Sequence, residues 1–265
     1  PISHRSPYAQ GSSAAPGLDG DSFEVQYANV SLHSITLAFE PGGQMLWGAN
    51  PTEVYRMRVA DPPVLTDSYP VDGSVDDLIG GAYTLLDRDG RFFTTVSEAL
   101  HVYAADGPDG IASVGSLSIP DPVPGERLRG LGMTYDGVII MASSEGRVLA
   151  VDRQSLALLG EVQLAGEVSN SIAIDEDGGI YVVTSEAMHR VQWTGTGLST
   201  EAEAGAWEAA YETGADQAVA GGRLGAGSGS TPSLMTVGED ALVVITDGQP
   251  LMHVVAFWRG AIPSG

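Results

Sequence analysis

The chain has 265 residues, of which 43% are hydrophobic, and its 34 acidic against 12 basic residues give a formal net charge of −22. This charge excludes nucleic acid as a partner, because nucleic-acid binding needs Lys and Arg to displace counterions, and it disfavours anionic membranes for the same reason. No apolar run approaches the roughly 20 residues that span a bilayer, and the absence of cysteine excludes disulfides, thiolate metal sites and cysteine nucleophiles.

Residues 1–22 are rich in Pro, Gly and Ser and are predicted to form an N-terminal arm, with residues 23–265 as the folded domain. Within that domain one pattern recurs: an alternating apolar strand, a turn rich in Asp and Gly, a β-branched strand and a third strand. Its clearest copy is SIAIDEDGGIYVVTSEAMHRVQW, residues 171–193. The turn positions of the five copies are, in chain order, Gly43, Gly90, Gly137, Gly178 and Asp240.

A further extended segment follows the third strand in the first four copies: VLTDSYPV, IASVGSLSI, LALLGEVQL and WEAAYET. Four antiparallel strands repeated every 40 to 50 residues or so, without amphipathic helices, predict an all-β fold, a β-propeller with four-stranded blades. A β-sandwich is the competing fold, but it does not predict one pattern five times over. The predicted blade cores are residues 35–72, 82–119, 131–164, 172–213 and 232–259, with a flexible, low-complexity insertion over about 194–230.

Two sets of polar residues are interpreted as structural. The acidic clusters DRDG (87–90) and DEDG (175–178) occupy the same turn of different repeats, and lack the spacing of an EF-hand, so we interpret them as hairpin turns. His101, His189 and His253 occupy similar points of third strands. Since blades radiate from an axis, such residues do not converge, and we interpret all three as packing histidines.

A functional site is predicted where the loops before the innermost strands meet, at one end of a propeller channel. The positions before these strands are polar in every repeat, which favours a ligand site there. They are Asn29 and His33; Asp76 and Asp77; Arg127 and Arg129; Ser169 and Asn170; and Ser228, Ser230 and Thr231.

Two stretches carry a resemblance to known families. SNSIAIDEDGGIYVV resembles the Asn-Gly-Leu/Val opening of an innermost strand in the gluconolactonase/regucalcin and strictosidine-synthase-like propellers, part of a superfamily that includes quinoprotein-like propellers. The resemblance implies that Asn170 is a divalent-cation ligand, as it is in the metal-binding members. GSGSTPSLM and LVVITDGQPLMHVVAFWR resemble a group of bacterial and fungal propeller proteins without a settled activity. The similarity is strongest over residues 127–259.

The chain also departs from these families. The lactonase-like members place a Glu ligand in a Gly-Glu-Gly-Pro motif in the first blade, where this chain has LHSITLAF. There is no vicinal cysteine pair and no tryptophan docking repeat, so no quinone is expected, nor a haem or nucleotide. The remaining cofactor expectation is Ca²⁺ or another divalent cation at Asn170 and Asp77.

Two functions of different classes stay open. The first is a channel-mouth enzyme, a hydrolase or lyase acting on a small ester, lactone or related molecule. In it Arg129 binds an anionic group or oxyanion, His33 or Asp77 transfers protons, and Ser230 and Thr231 orient the substrate. The second is a non-catalytic propeller that binds a protein or glycan through exposed aromatic residues such as Tyr8, Tyr69 and Trp207. The polar ring favours the enzyme.

The fifth copy ends without a fourth strand, which leaves two expectations for its edge. Residues 23–30, FEVQYANV, would close a five-bladed ring by pairing with residues 251–258. Alternatively, the chain is a portion of a propeller of six to eight blades, with the others on a second polypeptide; this is the expectation we favour. The acidic, cysteine-free composition favours an extracytoplasmic location, periplasmic or secreted.

Overall fold

A computed structural model of the chain describes residues 27–32, 34–77, 79–214 and 227–260. The predicted arm lies outside these ranges, as do residues 215–226 of the predicted insertion. The chain forms two compact units, the first extending to Ser118 and the second starting at Ile119.

The first unit contains two antiparallel sheets of four strands, and in each sheet the spatial order of the strands is their order along the chain. The first sheet consists of β1 (Leu37–Phe39), β2 (Met45–Ala49), β3 (Glu53–Arg58) and β4 (Val64–Pro70). The second consists of β5 (Thr84–Leu86), β6 (Phe92–Val96), β7 (Ala99–Asp106) and β8 (Gly110–Ser118). Each sheet corresponds to one copy of the sequence repeat.

The second unit contains three more antiparallel sheets of the same kind. The third sheet consists of β9 (Leu128–Met133), β10 (Val138–Ser143), β11 (Arg147–Asp152) and β12 (Leu158–Gln163). The fourth consists of β13 (Ala173–Ile174), β14 (Gly179–Val183), β15 (Ala187–Trp193), β16 (Leu198–Ser199) and β17 (Trp207–Ala210), and the fifth of β18 (Ser233–Val237), β19 (Asp240–Thr246) and β20 (Val254–Trp258). Five successive antiparallel sheets confirm the predicted all-β, propeller-like fold class.

The acidic clusters form hairpin turns, as predicted. Asp175 Oδ1 accepts hydrogen bonds from the backbone N–H groups of Asp177 (3.0 Å) and Gly179 (2.6 Å). Asp87 Oδ1 does the same for Asp89 and Arg91. Such turns are stabilised by short polar side chains that accept hydrogen bonds from backbone N–H groups a few residues later in the chain. These two carboxylates therefore have a structural role.

Within each unit, hydrophobic cores lie between consecutive sheets. One core of the second unit joins residues of the third and fourth sheets, including Ile140, Ile172 and Val182. The inner strands approach closely there because β9 carries Gly130 and Gly132, where a Cβ atom would lie 2.9 Å and 2.7 Å from Ile172 and Ile174 side-chain carbons. These two glycines allow the sheets to pack face to face.

Helix is nearly absent from the described residues. They contain a single turn of 3-10 helix at Ala202–Ala204, within the predicted insertion. No helix in the described ranges has the length and apolar character to cross a membrane.

The described part of the predicted closing strand does not form one. Residues 27–30 have no strand conformation, and Ala28 and Val30 pack against Leu46, Tyr55 and Met57 of the first unit. The fifth sheet has three strands within the described residues, and Val254 in β20 is 76% exposed. Whether a fourth strand covers β20 stays a prediction.

Candidate functional site

The predicted site residues lie at or shortly before inner strands. In the second unit, Arg129 is in β9, Asn170 precedes β13, and Thr231 precedes β18. In the first unit, Asp77 precedes β5 and Asn29 precedes β1, whereas His33 lies outside the described residues. The structure brings together the predicted residues around Asn170 and Thr231.

The Asn170 side chain links the segment before β13 to the segment before β18. Its side-chain N–H donates to the carbonyl oxygen of Gly229 at 2.6 Å. Its Oδ1 accepts from the Thr231 hydroxyl at 3.0 Å and from the Ser171 backbone N–H at 2.8 Å. These bonds place the hydroxyl of Thr231, before β18, beside the start of β13. Asn170 is therefore a positioning residue for the Gly227–Thr231 loop.

Further contacts hold the same loop. The Tyr211 hydroxyl donates to the carbonyl oxygen of Thr184 at 2.6 Å and accepts from the Ser228 backbone N–H at 2.9 Å. Ser230 Oγ accepts from the Thr246 backbone N–H at 3.3 Å and shares a 2.5 Å hydrogen bond with Ser228 Oγ. One proton suffices for the bond between these two hydroxyls, so the other hydroxyl can donate its proton to another acceptor.

Replacing Asn170 with Ala should destabilise the second unit by about 1–3 kcal/mol, because the hydroxyl and carbonyl groups that it satisfies lose a half-buried partner. Hydrogen exchange should speed up at residues 227–231 as the loop loosens. Asn29→Ala, at an exposed position before the first inner strand, is the control and should leave both quantities unchanged. Equal exchange in the two variants would show that Asn170 does not hold the loop.

Arg129 occupies an irregular position in its strand. In the pairing of β9 with β10, Gly130 lies opposite Ala142 and Leu128 opposite Ser143, so the register shifts at Arg129. Such a β-bulge re-aims a side chain and bends the strand. The half-buried Arg129 therefore departs from the regular alternation of the inner strand, a feature that depends on register and that the sequence pattern alone did not predict.

Asp77 lies in a tight turn of the first unit and is 6% exposed. Its backbone N–H donates to Ser74, its carbonyl oxygen accepts from Gly80, and a Cβ atom on Gly80 would lie 3.2 Å from its Oδ2. Beside this turn is a cavity of about 30 Å³ with apolar residues such as Ile35 and Val75 in its wall. It is large enough for about one or two waters rather than a substrate.

The surroundings of Asn170 do not fit a divalent cation. Both acceptor positions of its Oδ1 are taken by N–H and O–H donors, which leaves no lone pair for a metal. Within the described ranges, no three or more His, Asp or Glu side chains are grouped so as to hold a metal ion. Ligation by Asn170 would require breaking its bond to Thr231.

Sequence reasoning missed a buried carboxylate next to the predicted arginines. Glu126, in PGERLRG, has a side chain with no exposed surface. Its Oε2 accepts from the Val123 backbone N–H at 3.1 Å and lies 3.5 Å from Arg147 Nη1. Its Oε1 has no hydrogen-bond partner among the described residues. A Glu in a Pro- and Gly-rich segment suggests an exposed loop, so only its position before Arg127 could have indicated this carboxylate.

The three third-strand histidines have different environments. His189 is 4% exposed, with Nε2 3.3 Å from the Thr184 hydroxyl, and fits the packing interpretation. His101 is half-buried and stacks near Tyr103, with ring centroids 6.4 Å apart. For His253 the packing interpretation was wrong, because its side chain is 62% exposed and its Nδ1 lies 2.5 Å from Asp247 Oδ2. The His253 side chain is a polar partner of the Asp247 turn. The alternation of apolar and polar residues along the strand does not predict this role.

Acidification should destabilise the protein through His189. Burial lowers the pKa of His189 below its ordinary 6.5, although Glu208, the Ala165 backbone and Glu186 act in the opposite direction. The unfolded chain therefore binds a proton that the folded chain resists. The stability from the neutral form is present above pH 6.5 and is lost as the pH falls from 6.5 through the folded pKa.

Urea unfolding at pH 7.5, 6.5 and 5.5 measures this loss. His189→Gln should flatten the pH dependence, with the remainder coming partly from His101, whose pKa burial also lowers. If the free energy of unfolding of His189→Gln falls with decreasing pH as steeply as that of the original chain, His189 does not cause the destabilisation by acid. Thr236→Gln, at an exposed position of β18 that carries no titratable group, is the control.

Comparison with known proteins extends the fold assignment. An uncharacterized protein of Archaeoglobus fulgidus is 38% identical over 277 aligned residues, which cover 98% of this chain and 52% of the relative. The chain thus spans about half the length of this curated relative. A crystal structure of a protein from Lactobacillus plantarum superposes with a TM-score of 0.55 at 8% identity, over 88% of this chain and 72% of that one. No family model matches the sequence. The structural match supports the propeller-like fold.

Proposed function

We propose that the entrance to the inner strands of the second unit is the substrate site of a propeller enzyme, a hydrolase or lyase acting on a small ester, lactone or related molecule. The observation that carries the proposal is the Gly227–Thr231 loop, which Asn170, Tyr211 and Thr246 hold in place. Preorganised polar groups bind and orient a substrate without first having to order themselves. The gluconolactonase/regucalcin-like superfamily is the proposed wider relationship.

The residues present divide into binding and positioning roles. Arg129, in the bulge of β9, would bind the carbonyl or carboxylate oxygen and stabilise the negative charge that develops there. The hydroxyls of Ser230 and Thr231 would orient the substrate, with Asn170 fixing Thr231. Strand β9 packs beside β13, so these groups belong to adjacent sheets of one unit.

Proton transfer by His33 or Asp77 stays a prediction from the sequence, since Asp77 lies in the first unit and His33 lies outside the described residues. A serine nucleophile is not part of the proposal. Ser228 and Ser230 bond each other, Ser230 also accepts from the Thr246 backbone, and neither has an imidazole partner among the described residues. No step uses a metal, since the described surroundings of Asn170 do not fit one.

A non-catalytic propeller remains the alternative, and it requires an exposed aromatic patch. Two of the candidate aromatic residues instead pack against other rings. Tyr69 lies 5.3 Å from Tyr103, and Trp207 lies 6.2 Å from Tyr181, between ring centroids. Tyr8 lies outside the described residues. Both rings thus have packing partners, and the non-catalytic alternative stays a prediction.

The test is hydrolysis or elimination by the purified chain against a panel of lactones and small esters. Arg129→Met should lower kcat/KM by about 10²–10³-fold, the effect of losing one preorganised oxyanion donor. Arg88→Met is the control, because the Arg88 side chain is 84% exposed. Full turnover in Arg129→Met, or no turnover of any ester or lactone by the original chain, would overturn the proposal.

A further inference from the structure

The fourth sheet differs from its neighbours in its outer strand. In the first three sheets the fourth strand is one element of six to nine residues, namely β4, β8 and β12. In the fourth sheet the equivalent strand is in two pieces. β17 pairs with Ala187–Arg190 of β15, and β16 pairs with Gln192 and Trp193. Val191 has no partner on that edge, and the chain between the pieces leaves the sheet.

A cavity of about 280 Å³ opens at this break. Its wall includes Gln163 from the end of β12, His189 and Arg190 from β15, Thr200 after β16, and Trp207 and Glu208 from β17. Small-molecule sites occupy roughly 300–1,000 Å³, so this cavity lies just below that range. It has room for one ring-sized molecule.

The charges in the cavity disfavour an anionic ligand. The Arg190 guanidinium already donates to the Tyr181 hydroxyl at 3.0 Å and to the Gly205 carbonyl oxygen, and its Nη2 lies 3.7 Å from Asp175 Oδ2. The Glu208 side chain is 66% exposed, and its carboxylate lies 3.5 Å from His189 Nδ1. Its remaining lone pairs are acceptors that repel an anion and attract hydroxyl donors.

The remaining wall adds an aromatic ring and more polar groups. The Trp207 ring packs against Tyr181 and Phe257, and its indole N–H donates to the Arg259 carbonyl oxygen at 3.1 Å. The ring is thus fixed, and its N–H is already used. Gln163 Nε2 already donates to the carbonyl oxygens of Glu145 at 2.7 Å and Leu164 at 2.8 Å. The Thr200 hydroxyl and the Gln163 carbonyl oxygen therefore complete a set that combines an aromatic ring with hydrogen-bonding groups.

We propose that this cavity binds a single neutral sugar ring. A pyranose matches the cavity in size, carries hydroxyl donors for Glu208 and Thr200, and has an apolar C–H face for Trp207. The proposal is independent of the enzyme proposed above, because it concerns the outer edge of the fourth sheet rather than the inner-strand entrance.

The test is titration of the full chain with glucose, galactose, mannose and xylose, followed by NMR chemical shifts, with choline as a cationic comparison. A ligand this small should bind with a Kd on the order of 1 mM. Glu208→Ala should weaken binding about tenfold, and Ala165→Trp should abolish it, because Ala165 also lines the cavity and is exposed. Glu203→Ala, exposed on the nearby 3-10 turn, should bind like the original chain.

Three results would overturn the proposal: no sugar of the panel binds, choline alone binds, or sugar binding is the same in Glu208→Ala and Ala165→Trp as in the original chain. Both changes are at exposed positions, so the variants should fold. An unchanged circular dichroism spectrum checks this before titration. If Ala165→Trp misfolds, the comparison of sugar binding between Glu208→Ala and Glu203→Ala tests the proposal on its own.

Discussion

Arg147→Leu should destabilise the second unit by about 3–5 kcal/mol, the effect of leaving a buried carboxylate without its counter-charge. Arg147 Nη1 lies 3.5 Å from Glu126 Oε2 and donates to the Pro120 carbonyl oxygen at 2.8 Å, while Nε donates to Glu161 Oε1 at 2.7 Å. The Glu126 side chain has no exposed surface. Removing the guanidinium therefore isolates Glu126 and leaves the Pro120 carbonyl oxygen without this donor.

Chemical denaturation followed by circular dichroism measures the loss. Arg88→Leu is the matched control, since the Arg88 side chain is 84% exposed and lies 3.8 Å from Asp89, and it should change stability by less than about 0.5 kcal/mol. The double variant Glu126→Gln with Arg147→Leu should recover part of the loss, because the isolated charge is gone. Equal stability of the two arginine variants, or no recovery in the double variant, would contradict this explanation.

The repeat could be predicted from sequence because its signals are local. A turn such as DEDGG between two apolar runs specifies a hairpin by backbone conformation, and Gly178 has the positive φ, 79°, that the turn requires. Five copies of one hairpin pattern then indicate the propeller-like class. The same logic predicted that Asn170 and Thr231 lie near each other, since equivalent positions of successive repeats meet at one end.

Features that depend on pairing register or on distant partners could not be predicted. Arg129 occupies a bulge only because β9 and β10 shift register at Ala142 and Ser143. The sequence predicted β17, within WEAAYET, as the outer strand of the fourth copy, but not β16, which lies in a stretch whose composition indicates a flexible insertion. Glu126 is buried because Arg147 reaches it from another strand. In each case a tertiary contact overrides what the local composition indicates.

The turn after β19 explains how the fifth sheet fixes the Gly227–Thr231 loop. Gly248 is buried, and its backbone N–H donates to the Glu212 carbonyl oxygen at 3.0 Å. A Cβ atom at Gly248 would lie 1.9 Å from the Thr213 carbonyl oxygen and 3.0 Å from the Gly227 carbonyl oxygen. Both obstacles are backbone atoms, so no side-chain rotation relieves them. A methyl group there must push apart the segment after β17, the turn of the fifth sheet and the start of the loop.

Gly248→Ala should therefore destabilise the second unit by about 3 kcal/mol, the upper part of the range for overpacking a filled interior. Hydrogen exchange should also speed up at residues 227–231, because the Gly227 end of the loop is displaced. Gly197→Ala is the matched control: no atom lies within 4 Å of its Cβ position and its φ is not in the left-handed region, so its stability should change by less than about 0.5 kcal/mol. If Gly248→Ala unfolds at the same urea concentration as Gly197→Ala, the contact at Thr213 is not a constraint. If Gly248→Ala loses stability but hydrogen exchange at residues 227–231 is unchanged, the packing of this turn stabilises the second unit without holding the loop of the proposed site.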